Sequence, residues 1–335
     1  MCEVIFHNDS SAEAWNGVCE SFEDAEFTQS FEWGEAKRGE GWRPIRFVVE
    51  EKAVCIGVLQ GLLRTHCGMP VLYCPRGPAW RRRNDSAGAE RFAKILGAIK
   101  REFPKATVVC DWHFDDDLVP DEVVHREGFR RLGGGMTSRI DLSRDLDVVL
   151  ASFHGKWRND LRSAQRSGLR IQAYRPPRRL GGLFEMLRMT AERKGFRMGV
   201  DFEVGHRYLC RRPPGSDVLL TAQNDEQKPV AAALIVSFNG LASYLIGAGL
   251  PSGHPAFVRG ASNLVQWEAM QWAKENKIAA YNLEGLDPKN NPGVYRFKER
   301  MNGKLTVKKG LWIWSGNALK RKVLGSIIQA RLQWN

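Results

Sequence analysis

The order of apolar and polar residues divides the chain into alternating strand-length and helix-length pieces. Residues 47–50 and 54–63 read as two strands joined by a charged turn at Glu51-Lys52. Asn84-Asp85-Ser86 is a turn signal in which any of the three residues could cap a helix. Behind it Phe92, Ile95, Leu96, Ile99 and Phe103 keep helical spacing until Pro104 stops the helix. A buried-looking strand over 106–112, a short helix ending at Gly128, a flexible break at Gly133-Gly134-Gly135 and a strand over 137–142 complete the first half.

The second half follows the same scheme. A helix over 147–167 leads to a strand over 169–173, a helix over 182–194, and strands over 218–222, 230–238 and 241–248. A long helix over 261–276, a strand over 279–284, a strand over 311–314 and a basic terminal helix follow. The Pro-rich pieces around Pro176-Pro177 and Pro213-Pro214 read as loops, and no sequence repeat aligns the two halves. Each half is therefore helices flanking a mixed sheet with a central meander, an α/β class with mixed α+β sheets. A chain of 335 residues is too long for one compact core and suits two domains, placed at 1–140 and 141–310.

Composition adds little until charge is counted. Hydrophobic residues at 43% and charged residues at 26% are ordinary for a globular protein, and no apolar run approaches the ~20 residues of a membrane span. Glu3, His7 and Asn8 stand where a signal peptide would be basic and then apolar, so the expectation is a cytoplasmic protein. The seven cysteines form no CxxC pair, and His66 beside Cys67 has no second ligand pair, so no metal is expected. A formal charge of +12 favours a polyanionic partner, whether nucleic acid, an anionic membrane surface or a phosphorylated substrate.

Four segments could carry chemistry. In Gln29-Ser30-Phe31-Glu32-Trp33-Gly34-Glu35-Ala36-Lys37 a polar turn caps a short helix that puts Trp33 and Lys37 on one face, either an aromatic anchor with a solvated lysine or a binding pair. Tyr73-Cys74-Pro75-Arg76-Gly77-Pro78 is a stiff loop whose amides and guanidinium could hold an anion, or simply a rigid turn. Along the helix after Asp147, Leu150, Phe153, Trp157, Leu161 and Ala164 form the core face. On the same helix Arg158, Arg162 and Arg166 stack as a cationic stripe, a solvated face or a rail for phosphates.

The fourth segment is the strongest. Tyr281-Asn282-Leu283-Glu284-Gly285 ends a strand, a polar loop crosses the surface, and Gly293-Val294-Tyr295-Arg296-Phe297-Lys298 alternates aromatic and basic residues. Taken as extended chain, it puts Tyr295 and Phe297 on one side and carries Arg296 and Lys298 on the other into a cleft. No GxSxG, HExxH, Walker loop or strand-linked GxGxxG occurs, which favours a reaction with neither metal nor covalent intermediate.

Taken together and in this order, Gln29-Ser30-x-x-Trp33-x-x-x-Lys37 with Gly41-Trp42, Tyr73-x-Pro75-Arg76-Gly77-Pro78, Lys156-Trp157-Arg158-Asn159-Asp160-Leu161-Arg162 and Gly293 to Lys298 resemble the FemABX family. The resemblance implies two tandem GNAT-like acyltransferase lobes with a cleft between them, the first completed by residues 311–335. The long helical insertion of some members is absent. It further implies a monomer that moves an amino acid from aminoacyl-tRNA, its co-substrate, to the stem-peptide amine of a peptidoglycan precursor. That precursor is either UDP-MurNAc-pentapeptide or lipid-linked, and contact with the inner face of the membrane is part of the same expectation.

By the same resemblance Lys298 contacts the reacting groups and Lys37 binds precursor phosphate. Arg193 or Arg197 binds substrate, and Tyr244 is the aromatic residue of the central strand; Phe202 stands where a family tyrosine would be. Trp33, Tyr73, Arg76, Tyr295 and Phe297 join the substrate-binding set. An aminoacyl ester is already activated, so holding an amine against it supplies much of the rate, and Lys298 would stabilise the oxyanion. The amine's proton goes to Asp111, to a backbone carbonyl or to the tRNA. The competing chemistry, transfer from acyl-CoA, would need a pyrophosphate loop, for which Val258-Arg259-Gly260-Ala261-Ser262 is the nearest candidate. A non-catalytic RNA-binding or cell-wall interaction protein is the third reading.

Overall fold

The computed structural model describes residues 2–66, 68–81, 86–175, 180–194 and 202–333. In chain order, β1 (Cys2–Phe6), α1 (Ala12–Glu20), α2 (Phe31–Arg38), β2 (Arg43–Glu51), β3 (Val54–His66), β4 (Met69–Pro75), β5 (Ala79–Trp80), α3 (Ser86–Glu102), β6 (Thr107–Asp115) and α4 (Asp121–Arg126) lead into β7 (Arg130–Asp141). Then come α5 (Leu146–Ser152), α6 (Gly155–Gln165), β8 (Arg170–Tyr174), α7 (Gly181–Lys194), α8 (Phe202–Leu209), β9 (Asp217–Gln223), β10 (Pro229–Phe238) and β11 (Leu241–Gly249). The chain closes with α9 (Ala261–Glu275), β12 (Ala280–Asn282), α10 (Pro292–Glu299), β13 (Lys304–Trp314) and α11 (Ala318–Gln333). It divides into two compact units, Met1–Gly135 with Thr306–Asn335, and Met136–Leu305.

In the first unit the strand order is β1-β2-β3-β4-β6-β13, antiparallel except where β4 and β6 run parallel. That parallel step needs a crossover, and α3 supplies it. The residues that mark α3 in the sequence, Phe92, Ile95, Leu96 and Ile99, are all fully buried beneath the sheet, each stabilising the fold by about 1.5–3 kcal/mol through removal of apolar surface from water. Phe92 also meets Trp80, Trp112 and Phe114 at ring separations of 4.7–5.4 Å.

The second unit has the order β7-β12-β11-β10-β9-β8, again antiparallel except for one parallel step, β11 to β12, bridged by α9. Trp157, Leu161 and Ala164 of α6 and Leu264, Val265, Met270 and Ala273 of α9 form its core. The two units therefore share a topology that no sequence repeat reveals: a four-strand meander, a helical crossover, a parallel fifth strand and an antiparallel sixth. The sixth strands are exchanged along the chain. β7, which follows the first unit's fifth strand, pairs with β12 of the second unit, and β13, which follows the second unit's fifth, pairs with β6 of the first.

Three expectations need correction. The helix expected over 147–167 is two helices, because the backbone turns extended at Phe153 (ψ 150°) and His154 starts a new one. His154 accepts from the Lys156 amide through Nδ1 at 3.1 Å, while its own amide donates to the Arg300 carbonyl at 2.9 Å. Gly133-Gly134-Gly135 is no break but lies inside β7, because the backbone of Gly310 (φ +80°) comes so close that a Cβ there would sit 2.3 Å from the Gly133 oxygen. Residues 292–299 are helical rather than extended: Pro292 takes the first turn, where a missing N–H costs nothing. Asn84 and Asp85, residues 176–179 and Cys67 lie outside the described residues.

Candidate active site

Helicity at α10 changes which residues face inward. Side chains two apart no longer share a face, so Lys298 is buried at 7% exposure while Arg296 is exposed. Phe297 packs on the core 6.4 Å from Trp157. Tyr295 donates its hydroxyl to Glu299 one turn on, at 3.0 Å, which holds its phenol above the ordinary range.

Lys298 donates to the Gly285 carbonyl at 2.9 Å and its ammonium lies 5.3 Å from the Tyr244 ring centre. The Gly285 carbonyl is itself fixed. Asn282 accepts from the Thr137 hydroxyl at 2.5 Å and from the Glu284 amide at 3.1 Å, and its Nδ2 donates to the Glu284 carboxylate at 3.0 Å. The Leu283 amide donates to Ser138 O and the Leu286 amide to Met136 O, both across to β7. The cation is thus held on a rigid strand end with its ordering supplied by neighbouring polar groups.

Tyr244 lines a cavity of ≈ 240 Å³ within the second unit, with Arg193, Gly247, Ser262 and Phe297. Burial pushes the Tyr244 phenol up to about 12, so it is a neutral hydrogen-bonding group at physiological pH. Its ring occupies the space a side chain at Gly247 would take: a Cβ there would stand 2.2 Å from the phenol oxygen. Arg193 is exposed at the cavity rim, and Arg197 lies outside the described residues. Arg158 is half-buried; Arg162, which donates to Asn159 at 3.1 Å, and Arg166, the residue that ends α6, are exposed.

Acyl-CoA enzymes would need an open helix N-terminus for pyrophosphate. In this unit α9 begins at Gly260 (φ +83°), where a Cβ would lie 1.9 Å from the Asp160 carbonyl oxygen of α6. Arg259 is paired to the Asp160 carboxylate at 2.7 Å. The carbonyl and carboxylate of Asp160 thus lie against the Arg259-Gly260 segment, and a negative side chain there disfavours a bound anion.

The first unit has its own cavity, ≈ 750 Å³, lined by Trp42, Tyr73, Asp111, Lys308 and the glycines of β7, with Leu324, Ile327 and Ile328 of α11. Tyr73 and Asp111, both picked from sequence, meet here, and burial together with the charge of Asp111 raises the Tyr73 phenol. Burial alone would raise Asp111, but the hydrogen bond from His113 and the positive charges of His113, Lys308 and Arg76 outweigh it and hold the carboxyl down at about 2. His113 Nε2 is 3.3 Å from Asp111 Oδ2 and 3.3 Å from Lys308 Nζ.

The other sequence candidates of this unit are less open. Arg76 pairs with buried Glu26 at 2.6 Å and stacks on Phe27, so its charge is already met. Lys37 pairs with Glu40 at 2.9 Å and lies over the Trp33 ring. Gln29 is structural: fully buried, it donates to Pro75 O at 2.7 Å and to Gln60 O at 3.2 Å and accepts from the Gln60 amide at 2.8 Å.

His113 and Lys308 were not among the residues chosen from sequence. His113 stands two positions from Asp111 on one strand and so shares its face, a signal that was legible. Lys308 is 195 positions from His113 and carried none. Among the described residues no group of three or more His, Cys, Asp or Glu side chains could hold a metal ion.

A family model matches residues 218–326, and its description is FemAB family. Over that stretch the chain is similar to the FemAB family. The matched segment runs from β9 through Lys298 and β13 into α11. Among solved structures, the chain is similar to FemX, at 18% identity over 96% of this chain and 100% of that one, with a TM-score of 0.78. It is also similar to a tandem GNAT protein from the clavulanic acid biosynthesis pathway (10% identity, 95% and 99% coverage, TM-score 0.56). A third likeness is to the C-terminal domain of a putative lysylphosphatidylglycerol synthetase from Agrobacterium fabrum (14% identity, 97% and 97%, TM-score 0.55). At these identities the likenesses establish the tandem GNAT fold. No curated protein matches the chain.

Proposed function

We propose that this protein is an aminoacyltransferase that moves an amino acid from aminoacyl-tRNA to the stem-peptide amine of a peptidoglycan precursor, forming an amide bond. The observation that carries the reading is Lys298. It is a buried cation in the segment that the FemAB model matches, held by the Gly285 carbonyl and the ring of Tyr244, which lines a cavity of ≈ 240 Å³. The Asp160 carboxylate paired with Arg259 at the start of α9 counts against acyl-CoA as donor in the same unit.

In this reading the aminoacyl ester enters the second unit's cavity, and Lys298 stabilises the negative charge that develops on its carbonyl oxygen as the amine attacks. The C–N bond forms, the ester C–O bond breaks, and the ribose oxygen leaves with a proton. No cofactor is required, because the ester is already activated. Arg158, Arg162 and Arg166 are the proposed phosphate contacts for tRNA. In the first unit Asp111 is kept ionised by His113 and Lys308; at about 2 it is a poor proton acceptor at neutral pH.

The test is a transfer assay with a mixed pool of charged tRNAs and either UDP-MurNAc-pentapeptide or a lipid-linked precursor, the products being identified by mass spectrometry. An amide product that requires charged tRNA supports the proposal. Binding of charged and uncharged tRNA alike, with no turnover on either acceptor, overturns it.

A further inference from the structure

A helix that packs against a domain needs one apolar face, and α11 has two. The inner face is accounted for: Leu324 and Ile328 line the first unit's cavity, and Gly325 is buried with Leu132 only 3.3 Å from where its Cβ would be. Arg321, on the same side, reaches the Gly128 carbonyl at 3.3 Å. The outer face carries Leu319, Val323 and Ile327 at a spacing of four, with exposures of 70%, 48% and 47%. These are among the most exposed large apolar side chains of the described residues, and they fall on one stripe.

The stripe is flanked by Lys320 and Lys322, and the helix contains no acidic residue. An apolar stripe edged by cations on an exposed helix matches a bilayer surface, where the apolar side chains enter the headgroup boundary and the cations meet anionic lipids. A protein partner would also cover the stripe, but the lack of any carboxylate and the +12 charge of the chain favour a negatively charged surface. From these observations we infer that α11 docks this protein on anionic membranes through Leu319, Val323 and Ile327. Ile327 also stands at the rim of the ≈ 750 Å³ cavity, so docking brings that cavity to the lipid surface. Among the described residues no helix is long and apolar enough to cross a membrane. This inference stands independently of the reaction proposed above.

The experiment is co-sedimentation of the full-length protein with vesicles of phosphatidylglycerol and phosphatidylcholine in equal parts, and with phosphatidylcholine alone. The expected result is binding to the anionic vesicles that weakens with salt and is much weaker on the zwitterionic ones. The triple variant Leu319→Ser, Val323→Ser, Ile327→Ser should bind at least about tenfold more weakly while its circular dichroism is unchanged. Lys320→Gln with Lys322→Gln should bind weaker by roughly tenfold or more at low salt and leave residual apolar affinity. The inference is overturned if anionic vesicles do not retain the wild-type protein or if the triple variant binds as well as it does. It is equally overturned if the stripe is closed in solution by a second copy, seen as a dimer that the triple variant dissociates.

Discussion

The ammonium of Lys298 lies 5.3 Å from the centre of the Tyr244 ring, joining the last turn of α10 to the middle of β11 within one unit. An aromatic face attracts a cation without neutralising it, and the Gly285 carbonyl adds direction. Lys298→Ala should therefore lower the transfer rate by roughly a hundred- to a thousandfold, the usual cost of removing one oxyanion-stabilising group. Lys298→Arg should recover part of it, since charge is kept and shape is not. Steady-state transfer kinetics beside a thermal melt would check this, and undiminished turnover in the folded alanine variant would remove Lys298 from the reaction.

Gly247 leaves room for the Tyr244 ring, and a methyl group there would press on the phenol oxygen from 2.2 Å. Gly247→Ala should displace the ring and lower kcat/KM about tenfold. In a Tyr244→Ala background the same substitution should add little, because the clash is gone. A double-mutant cycle on kcat/KM measures this coupling; additive effects would show that Gly247 acts elsewhere.

Asp111 gives a pH dependence with a defined sign. Its carboxyl sits at about 2 in the folded protein against an ordinary 3.8, so the unfolded chain takes up the proton first as pH falls. The stabilisation is complete above pH 3.8 and is lost progressively between there and about 2. Urea unfolding across the acid range should show a steeper loss for the wild type than for Asp111→Asn. Parallel profiles would mean that His113 and Lys308 do not bias this carboxyl.

Gln29 opens the motif that resembles a family hallmark, yet its three hydrogen bonds go to backbone groups in the core. Gln29→Leu should destabilise the first unit by roughly 2–5 kcal/mol, because buried donors and acceptors lose their partners. The protein that remains folded should turn over within about threefold of the wild type. A large fall in kcat at unchanged melting temperature would instead place Gln29 in contact with substrate.

Much of this was legible because its causes are local. The apolar spacing of α3 and the turn at Glu51-Lys52 depend on neighbours in sequence, and both appear where expected. The failures have distant causes. Four alternating residues at 295–298 fit a strand or a helix equally well, and the nearby Pro292 was the clue that decides it. The triple glycine of β7 looked like a break because the strand that requires it, at Gly310, is some 175 positions away. His154 ends one helix and begins another through a bond to the Arg300 carbonyl, which no local pattern encodes. At the site, Lys298 stood out as a motif, but its burial and its aromatic partner depended on a fold the motif does not contain.

The exchanged sixth strands bear on how the chain matures. As it leaves the ribosome, the first unit has β1 to β6 paired and the polar edge of β6 open until β13, nearly 200 residues later, arrives to cover it. An open strand edge is a template for misassembly. A fragment cut near the unit boundary at Gly135 would keep that edge permanently, so neither the first segment nor the second is a natural module for separate expression. The protein is two units in space but a single continuous task for the folding chain.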